Sequence, residues 1–239
     1  MRRTLILMDR QSSITIVQTK FQNFPIPKFQ IQMTNDKQTH WQTIYKTKQS
    51  HEVSWTQEKP QTSLDFIHSF NLSKTASIID IGGGDSKLVD HLLDEGFENI
   101  TVLDISAEAL SKAQQRLNEK AKKIKWIVGD VTDFHTTETY DVWHDRAVFH
   151  FLTQQSEIEK YVETANRCVK KFLVVGTFST EGPNKCSGLD VKQYNEEQMC
   201  SAFTEKFKKI NCITEDHTTP FGTKQNFLFC SFRRKNSAQ

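Results

Sequence analysis

The chain is poor in several features that mark common classes of protein. It contains no run of about 18 apolar residues, which a membrane-spanning helix needs. Its five cysteines include no C-x-x-C pair, and their number is odd. It also lacks a strong charge excess, because 31 Lys and Arg stand against 29 Asp and Glu. The cysteine positions are Cys168, Cys186, Cys200, Cys212 and Cys230.

Each absence excludes a class of structure or partner. Widely spaced, unpaired cysteines argue against a disulfide framework and against a zinc site, so we expect no metal and a reducing, cytoplasmic setting. A near-neutral chain is not expected to bind mainly to phosphate backbones. We therefore expect neither nucleic acid nor a membrane as partner.

The first 36 residues differ from the rest of the chain. Their apolar run "TLILM" ends at Asp9 and Arg10, too early for the core of a signal peptide. We predict an N-terminal extension over 1–36 and one domain over 37–239, which begins with a cap segment over 37–72. The sequence leaves open whether the extension is flexible and whether the chemistry needs it.

From residue 77 onward, short apolar runs alternate with amphipathic stretches. Five such runs, separated by helical patterns, predict βαβ units and a parallel sheet. Two further runs, "KFKKINCITED" and "QNFLFCSFRR", follow without a long helix between them and predict a hairpin. The predicted fold is α/β, with a doubly wound, mostly parallel seven-stranded sheet and an antiparallel C-terminal strand. The predicted N-caps of its helices are Ser63, Ser106, Ser156 and Asn195.

Three adjacent glycines follow the first apolar run, in "SIIDIGGGDSKLVDHL". A dinucleotide loop, G-x-G-x-x-G, would need a third glycine at position 87, where the chain has Lys87. A loop of the form acid-x-G-x-G-x-G, which binds S-adenosylmethionine, fits Asp80, Gly82 and Gly84, with Ser86 in the last place. A plain strand-to-helix turn remains the alternative.

Two acids follow the next two predicted strands. Asp104 comes 22 positions after Gly82 and can accept hydrogen bonds from the two hydroxyls of an adenosine ribose. Asp130 can accept from the exocyclic amine of adenine, and the Val131 N–H can serve the ring. A capping aspartate in a turn is the alternative for Asp130.

At these positions the chain resembles the class I S-adenosylmethionine-dependent methyltransferases. The motifs that carry the resemblance are "IIDIGGGDSKLV", "VLDIS", "IVGDVTDF" and "YDVWHDRAVFHFL", and it extends over about residues 38–233. More narrowly, the chain is similar to small bacterial methyltransferases with poorly defined substrates. The resemblance implies a Rossmann-like methyltransferase fold, S-adenosyl-L-methionine as cofactor and methyl transfer (EC 2.1.1.-) as the reaction. It implies no particular acceptor.

The resemblance also implies roles for individual residues. His144, Asp145 and Arg146 would form the catalytic group, with His144 as general base or as part of the cofactor site. Asp145 and Arg146 would bind a polar acceptor or pair with each other. Cys186, Ser187 and His217 are weaker candidates for contact with the acceptor, and His150 is a candidate for the pocket wall. The implied cofactor-binding residues are Trp41, Tyr45, Trp55, Asp80, Gly82, Gly83, Gly84, Asp104, Ile105, Asp130, Val131 and His144.

The sequence supports three functions. The first is methyl transfer to a small-molecule acceptor. The second is methyl transfer to a protein side chain or to RNA, and the third is a non-catalytic, cofactor-binding protein of methyltransferase-like fold. The acceptor atom and the oligomeric state are not indicated by the sequence.

Overall fold

A computed structural model of the chain describes residues 6–8, 14–16 and 28–236, and describes side chains from residue 36 onward. The chain divides into two compact units, 1–35 and 36–239. In the first unit, strands Ile6–Met8 and Ile14–Ile16 pair in antiparallel fashion. Most of the predicted extension over 1–36 lies outside the described residues.

A seven-stranded sheet forms the centre of the second unit, and its order is β6-β7-β5-β4-β1-β2-β3. The strands are β1 (Ser77–Ile81), β2 (Asn99–Asp104), β3 (Ile124–Val128), β4 (Tyr140–Arg146), β5 (Val169–Phe178), β6 (Phe207–Thr218) and β7 (Lys224–Arg234). Strands β1 to β5 are parallel, whereas β7 runs antiparallel to both β5 and β6. The predicted sheet and its C-terminal hairpin are therefore confirmed.

Helices cover both faces of this sheet. They are α1 (Lys28–Thr47), α2 (Gln61–Ser69), α3 (Leu88–Asp94), α4 (Ala107–Leu117), α5 (Gln155–Cys168) and α6 (Glu196–Phe203). Apolar side chains of α2, α3 and α4 pack in one buried cluster, and those of α5 and α6 pack in another. Among the helices that the structure describes, none is both long and apolar enough to cross a membrane.

The order of the strands places a crevice at the ends of β1 and β4. From β1 the chain continues outward through β2 and β3, and it then returns to place β4 and β5 on the other side of β1. In open α/β sheets, ligands bind at the carboxyl ends of the strands where the order reverses in this way. The glycines at 82–84 leave β1 at this point.

Two of the four predicted helix starts are wrong. Ser106 caps α4 by accepting from the Ala109 N–H, and Asn195 caps α6 by accepting from the Gln198 N–H. Ser63 lies inside α2, which begins after Pro60, and the N-cap of α5 is Gln154 instead of Ser156. Both errors concern polar residues within the first turn, where a hydroxyl is tolerated without being the cap.

A cross-strand disulfide contradicts the expectation that no cysteines pair. Cys212 on β6 and Cys230 on β7 are directly opposite each other in the hairpin and are joined by a disulfide bond. The other three cysteines are free thiols. The hairpin register, which sets this pair, is not visible in the spacing of the cysteines.

Candidate functional site

The glycine loop leaves β1 with a backbone that side chains would obstruct. Gly82 has φ +63° and Gly84 has φ +43°, both in the left-handed region that favours glycine. A Cβ on Gly82 would lie 2.0 Å from Cγ2 of Val148, and one on Gly83 would lie 2.6 Å from Oδ2 of Asp80. The loop is therefore a narrow cradle that only a bare backbone fits.

Asp104 ends β2 beside this loop and is 6% exposed. Its Oδ1 accepts from the Ser106 N–H at 2.7 Å, and a Cβ on Gly84 would lie 2.8 Å from its Oδ2. Burial raises the pKa of Asp104 to about 7, the charge of Asp80 adds to the rise, and the N–H donors of Ser106 and Gly84 oppose it. The carboxylate is thus held next to the cradle and in reach of a ligand there.

Asp130 and Val131 follow β3 at the same edge of the sheet. Oδ1 of Asp130 accepts from the Thr132 N–H at 2.8 Å and from the Thr132 hydroxyl at 2.7 Å, and Asp130 caps a short 3-10 helix over Val131–Asp133. Asp130 therefore does act as a capping residue, the alternative role that the sequence suggests. It leaves Oδ2 as the oxygen for a ligand, because both of these bonds are made to Oδ1.

A buried hydrogen-bonded chain links β1, β4 and α2. Nδ1 of His144 lies 2.7 Å from Oδ1 of Asp80, and Nε2 lies 2.8 Å from the hydroxyl of Ser63. Since a carboxylate only accepts, His144 donates from Nδ1 to Asp80, and its Nε2 shares a hydrogen bond with the Ser63 hydroxyl. Both ring nitrogens are thus engaged, which favours His144 as a residue that orients Asp80.

Asp145 points away from the crevice, contrary to its predicted catalytic role. It is 0% exposed, and its carboxylate accepts from the Tyr161 hydroxyl at 2.7 Å and from the Val148 N–H at 2.8 Å. Tyr161 in turn accepts from the Trp143 indole N–H at 2.9 Å. The pKa of Asp145 rises to about 7 because of burial, against the effect of these donors. Asp145 therefore stiffens the turn after β4 and is not paired with its neighbour Arg146.

Arg146 ends β4 on the opposite face from Asp145. Its Nη1 donates to the carbonyl oxygen of Trp55 at 2.9 Å, and its guanidinium lies 5.0 Å from the centre of the Phe227 ring. Burial lowers the pKa of Arg146 to about 10, although the charges of Glu215 and Asp80 oppose the decrease. The group still carries its full charge at neutral pH.

His150 lies one short turn further along the chain and is 0% exposed. Its Nδ1 accepts from the Phe178 N–H at 3.2 Å, and its ring stacks on Phe178 with 4.5 Å between the centres. Burial and the nearby charge of Arg146 lower the pKa of His150 to about 3, so it is neutral. We call the region formed by Trp55, Arg146, His150, Phe178 and Phe227 the Arg146 pocket.

Aromatic side chains of the cap segment pack against this region. Trp41 on α1 lies edge-on to Trp55 at 5.7 Å and to Phe151 at 5.0 Å, and Tyr45 lies 6.2 Å from Trp55. Burial and the charge of Asp104 raise the pKa of Tyr45. The cap segment thus supplies an apolar cover to the crevice.

The weaker candidates are placed differently. Cys186 lines the crevice, and burial raises the pKa of its thiol to about 11, so it is not a nucleophile at neutral pH. Ser187 follows it in a tight hairpin at φ +50°. His217 is neither solvated nor in the crevice, because its Nε2 donates to the Ser54 carbonyl at 2.6 Å and Gln57 lies 3.4 Å from its Nδ1.

One cavity brings the predicted cofactor residues together. Its lining includes every residue of that prediction except Gly84, which lies behind the loop against Asp104 and Tyr45. Arg146 and His150 line the same cavity, together with Phe178, Gln225 and Phe227, which sequence reasoning did not select. No sequence pattern indicates that Gln225 and Phe227 line the cavity, because it is the register of the C-terminal hairpin that brings them there.

Comparison with known proteins agrees with this geometry. Residues 78–171 match a family model described as a methyltransferase domain. The chain contains a class I S-adenosylmethionine-dependent methyltransferase domain. This domain is the one that S-adenosylmethionine-dependent methyltransferases, EC 2.1.1.-, share.

Similar proteins differ in what they act on. A curated relative from Danio rerio, EEF1A lysine methyltransferase 2, is 28% identical over 167 residues. The match covers 66% of either chain, slightly less than two thirds of that relative. The crystal structure of the N-methyltransferase NodS from Bradyrhizobium japonicum, in complex with S-adenosylhomocysteine, has a TM-score of 0.59 and 16% identity, and the match covers 75% of this chain and 90% of that one.

A third similar protein carries both cofactor product and substrate. It is the 1,6-didemethyltoxoflavin-N1-methyltransferase of Burkholderia thailandensis, with 1,6-didemethyltoxoflavin and S-adenosylhomocysteine bound. Its TM-score is 0.62 at 12% identity, and the match covers 96% of the present chain and 98% of that one. At such identities the two structural similarities show the fold alone.

The residues of the cavity fit S-adenosylmethionine. The cradle at Gly82 and Gly83 admits a ligand where any Cβ would collide with Val148 or Asp80. Asp104 offers a buried carboxylate that can accept from ribose hydroxyls, and Asp130 lies at the adjacent strand end, where it can accept from an adenine amine. The carboxylate of Asp80 lies in the lining as well and complements a cationic amino group.

Cofactor affinity should depend on pH through Asp104. Ribose hydroxyls donate to the ionised carboxylate, and the pKa of Asp104 in the free protein is about 7. We expect the Kd for S-adenosylhomocysteine to be about tenfold higher at pH 6 than at pH 8, because ionising Asp104 costs about 1.4 kcal/mol per pH unit below its pKa. Isothermal calorimetry in buffers of different ionisation enthalpy should also show proton release on binding near pH 7.

The raised pKa of Asp104 predicts that the stability of the free protein changes with pH in the opposite direction to its affinity for the cofactor. A carboxyl whose pKa is higher in the folded than in the unfolded protein stabilises the fold at acid pH, and this contribution is lost as pH rises through about 7. Raising the pH from 5 to 8 should thus reduce the contribution of Asp104 to the free energy of unfolding of the free protein, while it strengthens cofactor binding. An affinity that is independent of pH between 6 and 8 would contradict the assignment of the ribose to Asp104.

Proposed function

We propose that this methyltransferase acts on a small-molecule acceptor. The observation that carries the proposal is the burial of the Arg146 pocket. His150 is 0% exposed and Phe178 is 1% exposed, and Trp41, Trp55 and Phe151 pack over them from the cap segment and the turn after β4. A covered pocket of this kind suits an acceptor that is enclosed whole, as in most small-molecule sites.

The topology separates two halves of the cavity. The glycine loop, Asp104 and Asp130 lie at the ends of β1, β2 and β3 and would hold the cofactor. The Arg146 pocket lies at the ends of β4 and β5 and beside β7, on the other side of the reversal in strand order. The acceptor would therefore approach from the β4 side.

The protein's contribution to the reaction is mainly positional. S-adenosylmethionine supplies a methyl group that is already activated by a positive sulfur. Alignment of an acceptor with such a group contributes about 7–11 kcal/mol when the reacting atoms are held near contact. The aromatic cover formed by Trp41, Trp55 and Phe151 would exclude water from the pocket, and the hydrogen bond from His144 would keep Asp80 in place.

A protein side chain is the second candidate acceptor, because the curated relative from Danio rerio is a lysine methyltransferase. Lysine would have to enter the covered pocket and place its amine near the buried cation of Arg146. Like charges disfavour this arrangement. The electrostatics of the pocket thus favour a small acceptor over a lysine side chain.

The acceptor class can be read from where the methyl group goes. Wild-type protein, S-adenosylmethionine with an isotopically labelled methyl group, and an extract of the organism that encodes the chain would be incubated and then separated by ultrafiltration. After unreacted S-adenosylmethionine is separated by chromatography, we expect label in a new low-molecular-mass product and none above background in protein or RNA. Asp104→Ala, which removes the ribose acceptor, is the control and should transfer much less label at a cofactor concentration near the wild-type Kd. Label in the protein fraction would overturn the proposal.

Two properties of the chain belong to the same proposal. Every described residue that lines the cavity lies at or beyond Lys37, so we assign catalysis to 37–239, with 37–72 as its cap segment. We also propose a cytoplasmic setting on the basis of the three free cysteines, Cys168, Cys186 and Cys200; the Cys212–Cys230 disulfide argues in the opposite direction.

A further inference from the structure

Arg146 has two nitrogens whose hydrogen bonds are not made. Its Nη1 donates to the Trp55 carbonyl, but Nε and Nη2 are covered and have no partner in the part of the chain that the structure describes. Glu215 and Asp80 act on it through their charges without a hydrogen bond. Covered donors of a charged group without acceptors are costly, so they point to a ligand.

The two free nitrogens define the shape of that ligand. Nε–H and Nη2–H lie along one edge of the planar guanidinium and point in nearly parallel directions, which is the fork that receives both oxygens of a carboxylate. The third nitrogen is occupied by Trp55, and the Phe227 ring lies 5.0 Å from the guanidinium. The fork is therefore fixed in orientation before any ligand binds.

His150 adds a third donor beside the fork. Because Nδ1 accepts from the Phe178 N–H, the proton of the neutral imidazole is on Nε2. This Nε2 is buried and has no partner among the described residues, and His150 lines the cavity. Gln225 contributes the complementary group, since its covered Oε1 also lacks a described partner and can accept from an N–H or O–H of a ligand.

The surroundings of these donors are apolar and flat. Trp55, Phe151, Phe178 and Phe227 line the same cavity, and the thiol of Cys186 beside them is neutral. Of the four carboxylates that line the cavity, Asp80, Asp104 and Asp130 lie at the ends of β1, β2 and β3, and Asp85 lies in the loop after β1, where it pairs with Arg116. Arg146 supplies the positive charge at the end of β4. The other cations of the lining, Lys37, Lys48, Lys87 and Lys112, lie on α1, the segment after it, the start of α3 and α4, and Lys37 and Lys87 already pair with Glu157 and Glu58.

We propose that the methyl acceptor is a small carboxylate with a flat, apolar body, and that its carboxylate binds the Nε–Nη2 edge of Arg146 with help from Nε2 of His150. This inference rests on the proposed small-molecule function and names the substrate class. The carboxylate is an anchor, because its oxygens are engaged by the fork, and a second atom of the acceptor receives the methyl group.

The transfer itself balances without further reactants. The lone pair of the acceptor atom forms the new bond to the methyl carbon, and the carbon–sulfur bond breaks with its electron pair remaining on sulfur. The cation becomes a neutral thioether, and any proton on the acceptor atom leaves to water. Neither Arg146 nor His150 exchanges a proton in this step.

The test uses the protein saturated with S-adenosylhomocysteine and two probes of one shape. Benzoate carries the carboxylate, and benzamide is its neutral counterpart. Calorimetric or NMR titration of the wild-type complex should show benzoate binding at least about tenfold more tightly than benzamide, the difference expected from one charge-assisted pair. Equal binding of the two probes, or binding of sulfate as tight as that of benzoate, would overturn the proposal.

Two variants separate the fork from charge alone. Arg146→Lys keeps the charge and loses the parallel donors, and Arg146→Gln loses both. Each should weaken benzoate binding at least tenfold while the Kd for S-adenosylhomocysteine stays within about twofold of wild type. The control is Arg233→Gln, because Arg233 stacks on Phe172 outside the cavity and should not affect either ligand.

Failure of the carboxylate proposal can be distinguished from failure of the small-molecule function on which it rests. Loss of S-adenosylhomocysteine binding in the Arg146 variants, in step with benzoate, would mean that Arg146 holds the cofactor's own carboxylate and would overturn the proposal. Methyl label recovered in protein would overturn the small-molecule function itself, and it would be seen in the separate extract experiment. The comparison of benzoate with benzamide on wild type does not depend on whether a variant folds.

Discussion

Asp104→Asn should raise the Kd for S-adenosylhomocysteine about ten- to hundredfold at pH 8. The substitution keeps the size of the side chain and an oxygen for the Ser106 N–H, but it removes the charge that ribose hydroxyls would meet. A hydrogen bond to a charged group is worth about 1.5–3 kcal/mol, and 1.4 kcal/mol corresponds to a factor of ten. Calorimetric titration of both proteins at pH 8 gives the ratio directly.

A matched variant tests whether the effect is local. Asp133→Asn removes an exposed carboxylate of the same type, whose side chain is 78% exposed, from the loop that follows β3. It should leave the affinity unchanged. The Asp104→Asn protein should also lose the difference in affinity between pH 6 and pH 8. An unchanged Kd for Asp104→Asn would show that the ribose does not bind at the end of β2.

Gly82→Ala should weaken cofactor binding more strongly, by about a hundredfold or more, which corresponds to about 2.8 kcal/mol. The new Cβ would lie 2.0 Å from Cγ2 of Val148, whose backbone N–H is held by Asp145 at 2.8 Å. Since Val148 is fixed by this bond, the loop must shift instead. The shift would widen or close the cradle in which the cofactor lies.

Gly222→Ala separates the steric effect from backbone strain. Gly222 has φ +78°, so alanine there meets the same left-handed backbone, but no atom lies within 4 Å of its Cβ position. The strain costs about 1–2 kcal/mol of stability. We expect a lower melting temperature for both variants but a lower cofactor affinity only for Gly82→Ala. Equal affinities of the two variants would remove the glycine loop from the cofactor site.

Local sequence patterns predicted the elements that position the site. The first three parallel strands are short, mostly apolar runs with an aspartate within two positions of the end, and this pattern located Asp80, Asp104 and Asp130 at one edge of the sheet. A ligand-binding role for the glycines at 82–84 was also predicted from the sequence, because a loop without side chains between a strand and a helix lets a ligand approach the backbone. These signals lie within a few residues and need no knowledge of packing.

The direction of side chains at the end of β4 was harder to predict. His144, Asp145 and Arg146 are adjacent, and side chains in a strand alternate between faces. Asp145 therefore shares the face of Trp143 and binds Tyr161, whereas His144 and Arg146 face the cavity. Alternation alone could have separated Asp145 from its neighbours, since the bulky apolar Trp143 marks the face that α5 and α6 cover.

Long-range partners were beyond the reach of sequence reasoning. Ser63 reads as a helix cap, but its hydroxyl binds His144, 81 positions away. The Cys212–Cys230 disulfide depends on the register of the hairpin, and Gln225 and Phe227 reach the cavity through the same register. Unpartnered donors on Arg146 and His150 are likewise a property of packing, which no spacing of residues reveals.

A crystal structure of the protein with S-adenosylhomocysteine bound would test the proposed cofactor site most directly. We expect the ribose hydroxyls on Asp104, the amino acid part against the glycine loop at 82–84, and a sulfur that faces the Arg146 pocket. A cofactor bound outside this crevice, or one whose carboxylate occupies the Nε–Nη2 edge of Arg146, would contradict the proposed cofactor site.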